Sequence, residues 1–369
     1  MLYVAIIIVV LSACQSAPAP QEAAAPAEQE AAAPAEEEAA APEEEEAEMA
    51  EEASTGTADK RIALSNNYAG NSWRQTMLKQ WEEVTSGAVA DGIVAEVDAF
   101  TTAENEATEQ AAQIQDLILQ GYDAIVVNAA SPTALNGVVK EACDAGIVVV
   151  SFDGIVTEPC AWRLAVDFNK MGLTEMEYVA ERLPEGGKLL EIRGLAGTSI
   201  DEAISSGIAD GVAKYPQFEI VGTVHGDWTQ TVAQKEVAGI LSSLPEIDAI
   251  VTQGGDGVGA VQALKAEGRD IPLVILGNRH DELTWWQEQK DANGYETLSL
   301  SIAPGVGTLA FWVAQQILDG NEPPKDLVVP FDTITTDDLE ERLAATETGA
   351  VATRSYSLND ALEVIEDAK

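Results

Sequence analysis

Residues Asp123 to Gly154 read DAIVVNAASPTALNGVVKEACDAGIVVVSFDG, and this stretch spells one strand, one helix and a second strand. Ala124 to Val127 and Ile147 to Phe152 are short, rich in β-branched residues and almost uninterrupted in their apolarity, as parallel strands covered on both faces require. Between them Pro132 opens a helix and Gly146 closes it. A right-handed crossover sets the two strands side by side, with their carboxyl ends on one edge. There the apolar runs stop at polar residues, Asn128 on the first strand and Asp153 on the second. Ligands of open α/β sheets bind at that edge, so Asn128 and Asp153 are expected to form two walls of a small-molecule site.

The same rhythm extends both ways from Lys60 onward. Arg61 to Asn66 and Ile93 to Asp98 read as strands, and Ser72 to Ser86 and Ala103 to Gln120 as helices; Trp73, Met77, Trp81 and Val84 lie near helical spacing. Trp162 to Asp167 reads as a strand leading out of this half. A second α/β series follows, with strands at Lys188 to Ile192, Glu219 to Val224, Asp248 to Thr252, Leu273 to Leu276 and Leu298 to Ile302. Helices alternate with them, ending with Pro304 to Leu318. The fold class is therefore α/β, with two doubly wound, Rossmann-like lobes and a cleft between them.

The chain has 369 residues and 46% hydrophobic composition, enough for two ordinary cores. Its start belongs to neither. Leu2 to Leu11 is a ten-residue apolar run followed by Ser12-Ala13-Cys14, which resembles a bacterial lipoprotein signal in which Cys14 becomes the lipidated terminus. The run is too short to span a bilayer as a helix, and it departs from the signal pattern in having no Lys or Arg before it. Residues 15–59 form an Ala/Pro/Glu tract without aromatics, expected to be a disordered tether. The tract holds 14 of the chain's 63 acids and none of its 20 bases, so residues 60–369 still carry −29. Nucleic acid and anionic membrane surfaces are poor partners for such a body, and membrane attachment rests on the lipid alone. Export allows Cys143 and Cys160 to pair, with a free buried state as the alternative. Neither has the spacing partners of a metal site.

The body resembles type I periplasmic solute-binding proteins, and within them the ribose-binding group that serves sugar ABC transporters. The resemblance rests on Ile62-Ala63-Leu64 entering a polar loop, Ile125-Val126-Val127-Asn128, Val150-Ser151-Phe152-Asp153 and, above all, Leu190-Glu191-Ile192-Arg193-Gly194-Leu195-Ala196-Gly197-Thr198-Ser199. It implies three crossings between lobes joined by a hinge. One lobe would then hold residues 60–166 and 303–331, the other 167–302 and 332–369. It also implies an extracytoplasmic, monomeric, cofactor-free binding protein that closes on a sugar or polyol and hands it to an ABC permease and ATPase. Carried over by position, the ligand residues are Asn71, Trp73, Arg74, Asn128 and Asp153 from the first lobe, and Trp228, Asp256, Asn278 and Arg279 from the second. Three departures argue against ribose itself: Gly154 and Ile204 stand where ribose binders place Arg, and Asn278-Arg279 where they place Phe-Asp.

The residues also admit blander readings. Asp153 precedes Gly154 and suits a turn, Asn128 suits a helix cap, and Trp73 suits core packing beside Met77 and Trp81. Arg74 and Arg279 can clamp paired hydroxyls or form surface ion pairs. Thr198 and Ser199 can cap a helix whose N-terminus faces the cleft. Trp285 and Trp286 read as helix core or lobe interface. Gly254-Gly255-Asp256-Gly257 lacks the Lys-Ser/Thr of a P-loop. Neither Gly-x-Ser-x-Gly nor His-Glu-x-x-His occurs, and His225 and His280 are the chain's two histidines, so binding outweighs catalysis. The rival function is a receptor for a small signal such as autoinducer-2 or a polyol, read by a sensor instead of a permease.

Overall fold

The computed structural model describes residues 56–103 and 105–369. Cys14 and the tether up to residue 55 lie outside the described residues. The last residues assigned to the tether belong to the body: Thr57 is fully buried, and its hydroxyl donates to Ile93 O at 2.8 Å and accepts from Gln315 Nε2 at 2.9 Å.

In the first lobe β1 (Arg61–Asn66), β2 (Glu96–Thr101), β3 (Ala124–Asn128), β4 (Val148–Phe152), β5 (Trp162–Ala165) and β11 (Asp326–Val328) form a parallel sheet in the order β11-β5-β4-β3-β1-β2. Side chains alternate across it, as a period of two dictates. Ile62, Leu64, Val126, Val150 and Phe152 enter one core with α1 (Ser72–Ala90) and α9 (Val306–Leu318). Ala63, Ile125, Val127 and Val149 enter another under α2 (Ala107–Gln120) and α3 (Asn136–Asp144). Helix α3 starts four residues after Pro132, because residues 132–135 form turns, and α2 starts at Ala107 instead of Ala103. Cys143 on α3 and Cys160 before β5 are joined by a disulfide with Cα atoms 6.4 Å apart.

The second sheet has the order β7-β6-β8-β9, from β6 (Gly187–Arg193), β7 (Phe218–His225), β8 (Ala249–Thr252) and β9 (Leu273–Val274). Leu190, Ile192 and Ile250 pack on one side with α6 (Gln230–Leu241), α7 (Gly257–Ala266) and α8 (His280–Asn293). Leu189, Ala249 and Val251 pack on the other, with α4 (Phe168–Arg182) and α5 (Ser199–Lys214). Trp285 and Trp286 are buried in this lobe's core. A separate antiparallel pair, β10 (Ser299–Ser301) with β12 (Asp332–Ile334), lies where the chain passes between lobes.

The tail corrects one expectation. Residues 332–369 were assigned whole to the second lobe, but they divide. Leu339 of α10 (Leu339–Ala344) enters the second-lobe core, whereas Tyr356, Ala361 and Ile365, the last two on α11 (Leu358–Asp367), enter the first-lobe core. Apolar residues at helical spacing, Ala361, Val364, Ile365 and Ala368, give α11 one greasy face, and the first-lobe sheet and α9 leave a matching surface for it.

Candidate functional site

Between the carboxyl edges of the two sheets lies a cavity of about 720 Å³ lined from both lobes, within the usual range for small-molecule sites. Asn71, Trp73, Arg74, Asn128, Asp153, Trp228, Asn278 and Arg279 all border it.

On the first-lobe wall the strand ends meet as parallel pairing dictates. Asn128 donates Nδ2 to Asp153 Oδ2 at 3.1 Å and accepts the Gly154 N–H at 3.3 Å. Gln110 on α2 braces this edge, donating to Asn128 O and accepting from Ala130 N, both at 2.8 Å. Asp153 takes a left-handed φ of 56°, which Asp tolerates better than most residues, and this turns its carboxylate into the cavity. The Arg74 guanidinium pairs with Asp153 Oδ2 at 2.8 Å and lies 4.5 Å from the Trp73 ring centre. No hydrogen bond among the described residues reaches Asp153 Oδ1. Asn71 is the N-cap of α1, its side chain accepting Arg74 N–H at 2.9 Å. Trp73 is both core and cavity wall, and its Nε1 donates to Ile302 O at 2.6 Å where the chain enters α9.

On the second-lobe wall Trp228 is thrust forward by two successive left-handed residues, Asp227 (φ 53°) and Trp228 itself (φ 52°). Its ring rests on Gly194, where a Cβ would stand 2.2 Å from Cε2, so only glycine leaves room. Gln253 ties this wall together, accepting Gly194 N–H and donating to Asp201 O, each at 2.9 Å. Thr198 caps α5 as expected, accepting Asp201 N–H at 3.3 Å, and the helix N-terminus borders the cavity. Arg279 lies flat on Gly255, donates to Trp228 O and has no carboxylate within ion-pair distance among the described residues. Asn278 borders the cavity, but its amide is committed: Nδ2 donates to Asp332 and Oδ1 accepts from Ser299.

Asp256 is the exception among the expected residues. It is fully buried and does not line the cavity. The Gly254 and Gly255 turn, both at φ near +90°, carries its side chain under the His225–Thr229 loop, where Oδ2 would meet a Cβ on Gly226 at 2.4 Å. Among the described residues, no other residue donates a hydrogen bond to either of its oxygens. Burial first, and then the nearby Glu282 charge, hold its pKa well above the usual carboxylate range, against the pull of Arg279. Glu282 is pushed up to about 7, mainly by burial.

Asn67, Asn105 and Gln253 also line the cavity and escaped the sequence reading. Asn67 Nδ2 donates to Asn105 Oδ1 at 2.6 Å across two loops, a pairing that no spacing in the chain announces. Among the described residues no cluster of three or more His, Cys, Asp or Glu side chains is placed to hold a metal ion, and no helix is long and apolar enough to cross a membrane.

A sequence model described as a periplasmic binding protein domain matches residues 62–322. A xylitol-binding protein of Mycolicibacterium smegmatis is 29% identical over 250 residues, covering 65% of this chain and 69% of that protein. A ribose import binding protein of Bacillus subtilis is 27% identical over 236 residues, covering 62% and 73% respectively. Among solved structures, an ABC transporter solute binding protein from Thermobispora bispora superposes with a TM-score of 0.78 at 34% identity, covering 84% of this chain and 95% of that one. A solute binding protein from Bacillus halodurans with bound myo-inositol shares the fold, at a TM-score of 0.67 and 23% identity over 79% of this chain and 99% of that one.

Proposed function

Because the chain belongs to the family of periplasmic binding protein domains, we propose that it captures a sugar or related polyhydroxylated small molecule between its lobes, as the extracytoplasmic binding component of an ABC transporter. The family is one of binding proteins that work outside the cytoplasm, and the matched xylitol- and ribose-binding proteins supply the ligand class. The observation that carries the reading is the Arg74–Asp153–Asn128 cluster on the cavity wall. Its Asp153 is 6% exposed, with Oδ2 engaged by Arg74 and Asn128 while Oδ1 has no donor among the described residues. A carboxylate in that state is a strong acceptor for ligand hydroxyls, and its pairing with Arg74 keeps the cluster neutral, which suits an uncharged ligand. Across the cavity the Trp228 ring offers a flat apolar surface for the C–H face of a sugar.

A ligand held by Asp153 on one side and Trp228 and Arg279 on the other contacts both lobes only when they are closed, and that differential contact favours closure. The closed form is then handed to an ABC permease and its ATPase, with no cofactor, no chemical step and one copy of this chain. Cys14 serves as the lipid anchor and the acidic tract as the spacer. Mass spectrometry of small molecules released from the purified protein tests the ligand class. A polyhydroxylated compound supports it; release of a nucleotide, peptide or amino acid in stoichiometric amount refutes it.

A further inference from the structure

The residues matched by the family model end at 322, and beyond them the chain passes between the lobes twice more. After α10 it runs along the cavity. Val351 pairs with Arg279 in an antiparallel bridge, His280 N–H donates to Ala350 O at 3.0 Å, and Ala352 N–H donates to Asn278 O at 2.6 Å. These contacts fasten the tail to the second-lobe ligand loop. The very next residue belongs to the other lobe. Thr353 Oγ1 accepts Gly305 N–H at 2.9 Å and donates to Gln80 Oε1 at 3.1 Å, and Tyr356 N–H then reaches Thr308 Oγ1 at 3.1 Å. Val351, itself a cavity residue, sends its N–H sideways to Thr76 Oγ1 at 3.2 Å, on helix α1, whose first turn carries Trp73 and Arg74.

We propose that Ala350–Thr353 is a taut strap that fixes the Asn278–Arg279 loop against helix α1 and limits how far the lobes part when the cavity is empty. Ala352 is held by one lobe and Thr353 by the other, and adjacent Cα atoms are about 3.8 Å apart, so the connection has no slack. Any opening that carries Asn278 away from Gly305 by more than a few ångström must break one set of bonds. The exposed Lys79–Glu347 pair spans the same gap but, being solvated, adds little. With wide-open states removed, less ordering remains for the ligand to impose, and Thr76 and Val351 become positioning residues for capture. The consequence for binding rests on the lobe closure proposed above; the strap itself does not.

The test measures the cleft without ligand. Nitroxide labels on Ala134→Cys and Ala196→Cys, exposed positions on opposite lobes, are placed in the full chain with Cys14→Ser, and their separation is read by double electron–electron resonance. A Gly-Ser-Gly-Ser insertion between Ala352 and Thr353 keeps both anchor points but adds up to about 13 Å of reach. It is expected to lengthen and broaden the distance distribution, and Thr76→Val to shift it the same way by less. Unchanged distributions in cooperatively melting variants overturn the strap. If the insertion does not fold, Thr76→Val decides alone, a shift supporting the strap and identity with wild type refuting it. No ligand enters the measurement, so a wrong ligand class and a wrong strap give separate signatures.

Discussion

Glu282 offers a perturbation whose size follows from its surroundings. It sits fully buried at the start of α8, with Oε1 accepting Gly257 N–H at 3.0 Å and Oε2 beside the Gly277 backbone. Burial raises its pKa from 4.5 to about 7. Between those values the folded chain keeps a proton that the unfolded chain has released. Folding therefore binds protons, and stability falls as pH rises from about 4.5 to about 7, then levels off. The shift corresponds to about 3 kcal/mol. Glu282→Gln keeps an acceptor for Gly257 and removes the charge. The variant should exceed wild type by less than about 1 kcal/mol near pH 5 and by up to about 3 kcal/mol at pH 8, with relief of the neighbouring Asp256 acting in the same direction. Self-repulsion of the acidic surface also weakens the fold with rising pH, but it is nearly common to both chains and cancels in the difference. Urea unfolding at several pH values between 5 and 8 measures this. Parallel stability curves for the two proteins would refute the burial argument.

Gly194→Ala forces a Cβ into the Trp228 ring, so it should cost about 1–3 kcal/mol of stability and alter the near-ultraviolet circular dichroism of Trp228; an unchanged spectrum would mean that the ring is not seated there. Replacing Cys143 and Cys160 together by Ser opens a link of sequence separation 17 and should lower stability by about 3 kcal/mol in urea, with ligand affinity retained because neither residue borders the cavity.

The sequence was most legible where one physical rule acted alone. Doubly covered strands must be apolar on both faces, so Ala124–Val127 and Ile147–Phe152 announced themselves, and the polar stops at Asn128 and Asp153 marked the edge. Asp256 also follows a strand, yet two consecutive left-handed glycines reverse its side chain, a three-dimensional effect that strand-end logic does not include. The tail was illegible for another reason. Strands β11 and β12 are three residues each, with charged residues among them, and their pairing depends on partners more than 150 and about 30 residues away, respectively. Asn278 and Arg279 were both carried into the ligand set by position. Both border the cavity, but Asp332 and Ser299 occupy the amide of the first, whereas the guanidinium of the second has no carboxylate within ion-pair distance among the described residues.

The proposed function requires Asp153 to anchor an uncharged polyhydroxylated ligand between the lobes. Asp153→Ala would leave the Arg74 guanidinium, only 12% exposed, with neither a counter-charge nor an acceptor, so Asp153→Asn is the cleaner probe: it also removes the counter-charge but keeps the shape and a carbonyl acceptor. Calorimetric titration of the wild-type chain with a panel of pentoses, pentitols and cyclitols should give saturable one-to-one binding for at least one compound. Asp153→Asn should weaken that binding at least about tenfold while still melting in one cooperative transition, at a lower temperature because Arg74 loses its counter-charge. If no compound in the panel gives saturable heat, or if Asp153→Asn binds as tightly as wild type, the account is contradicted.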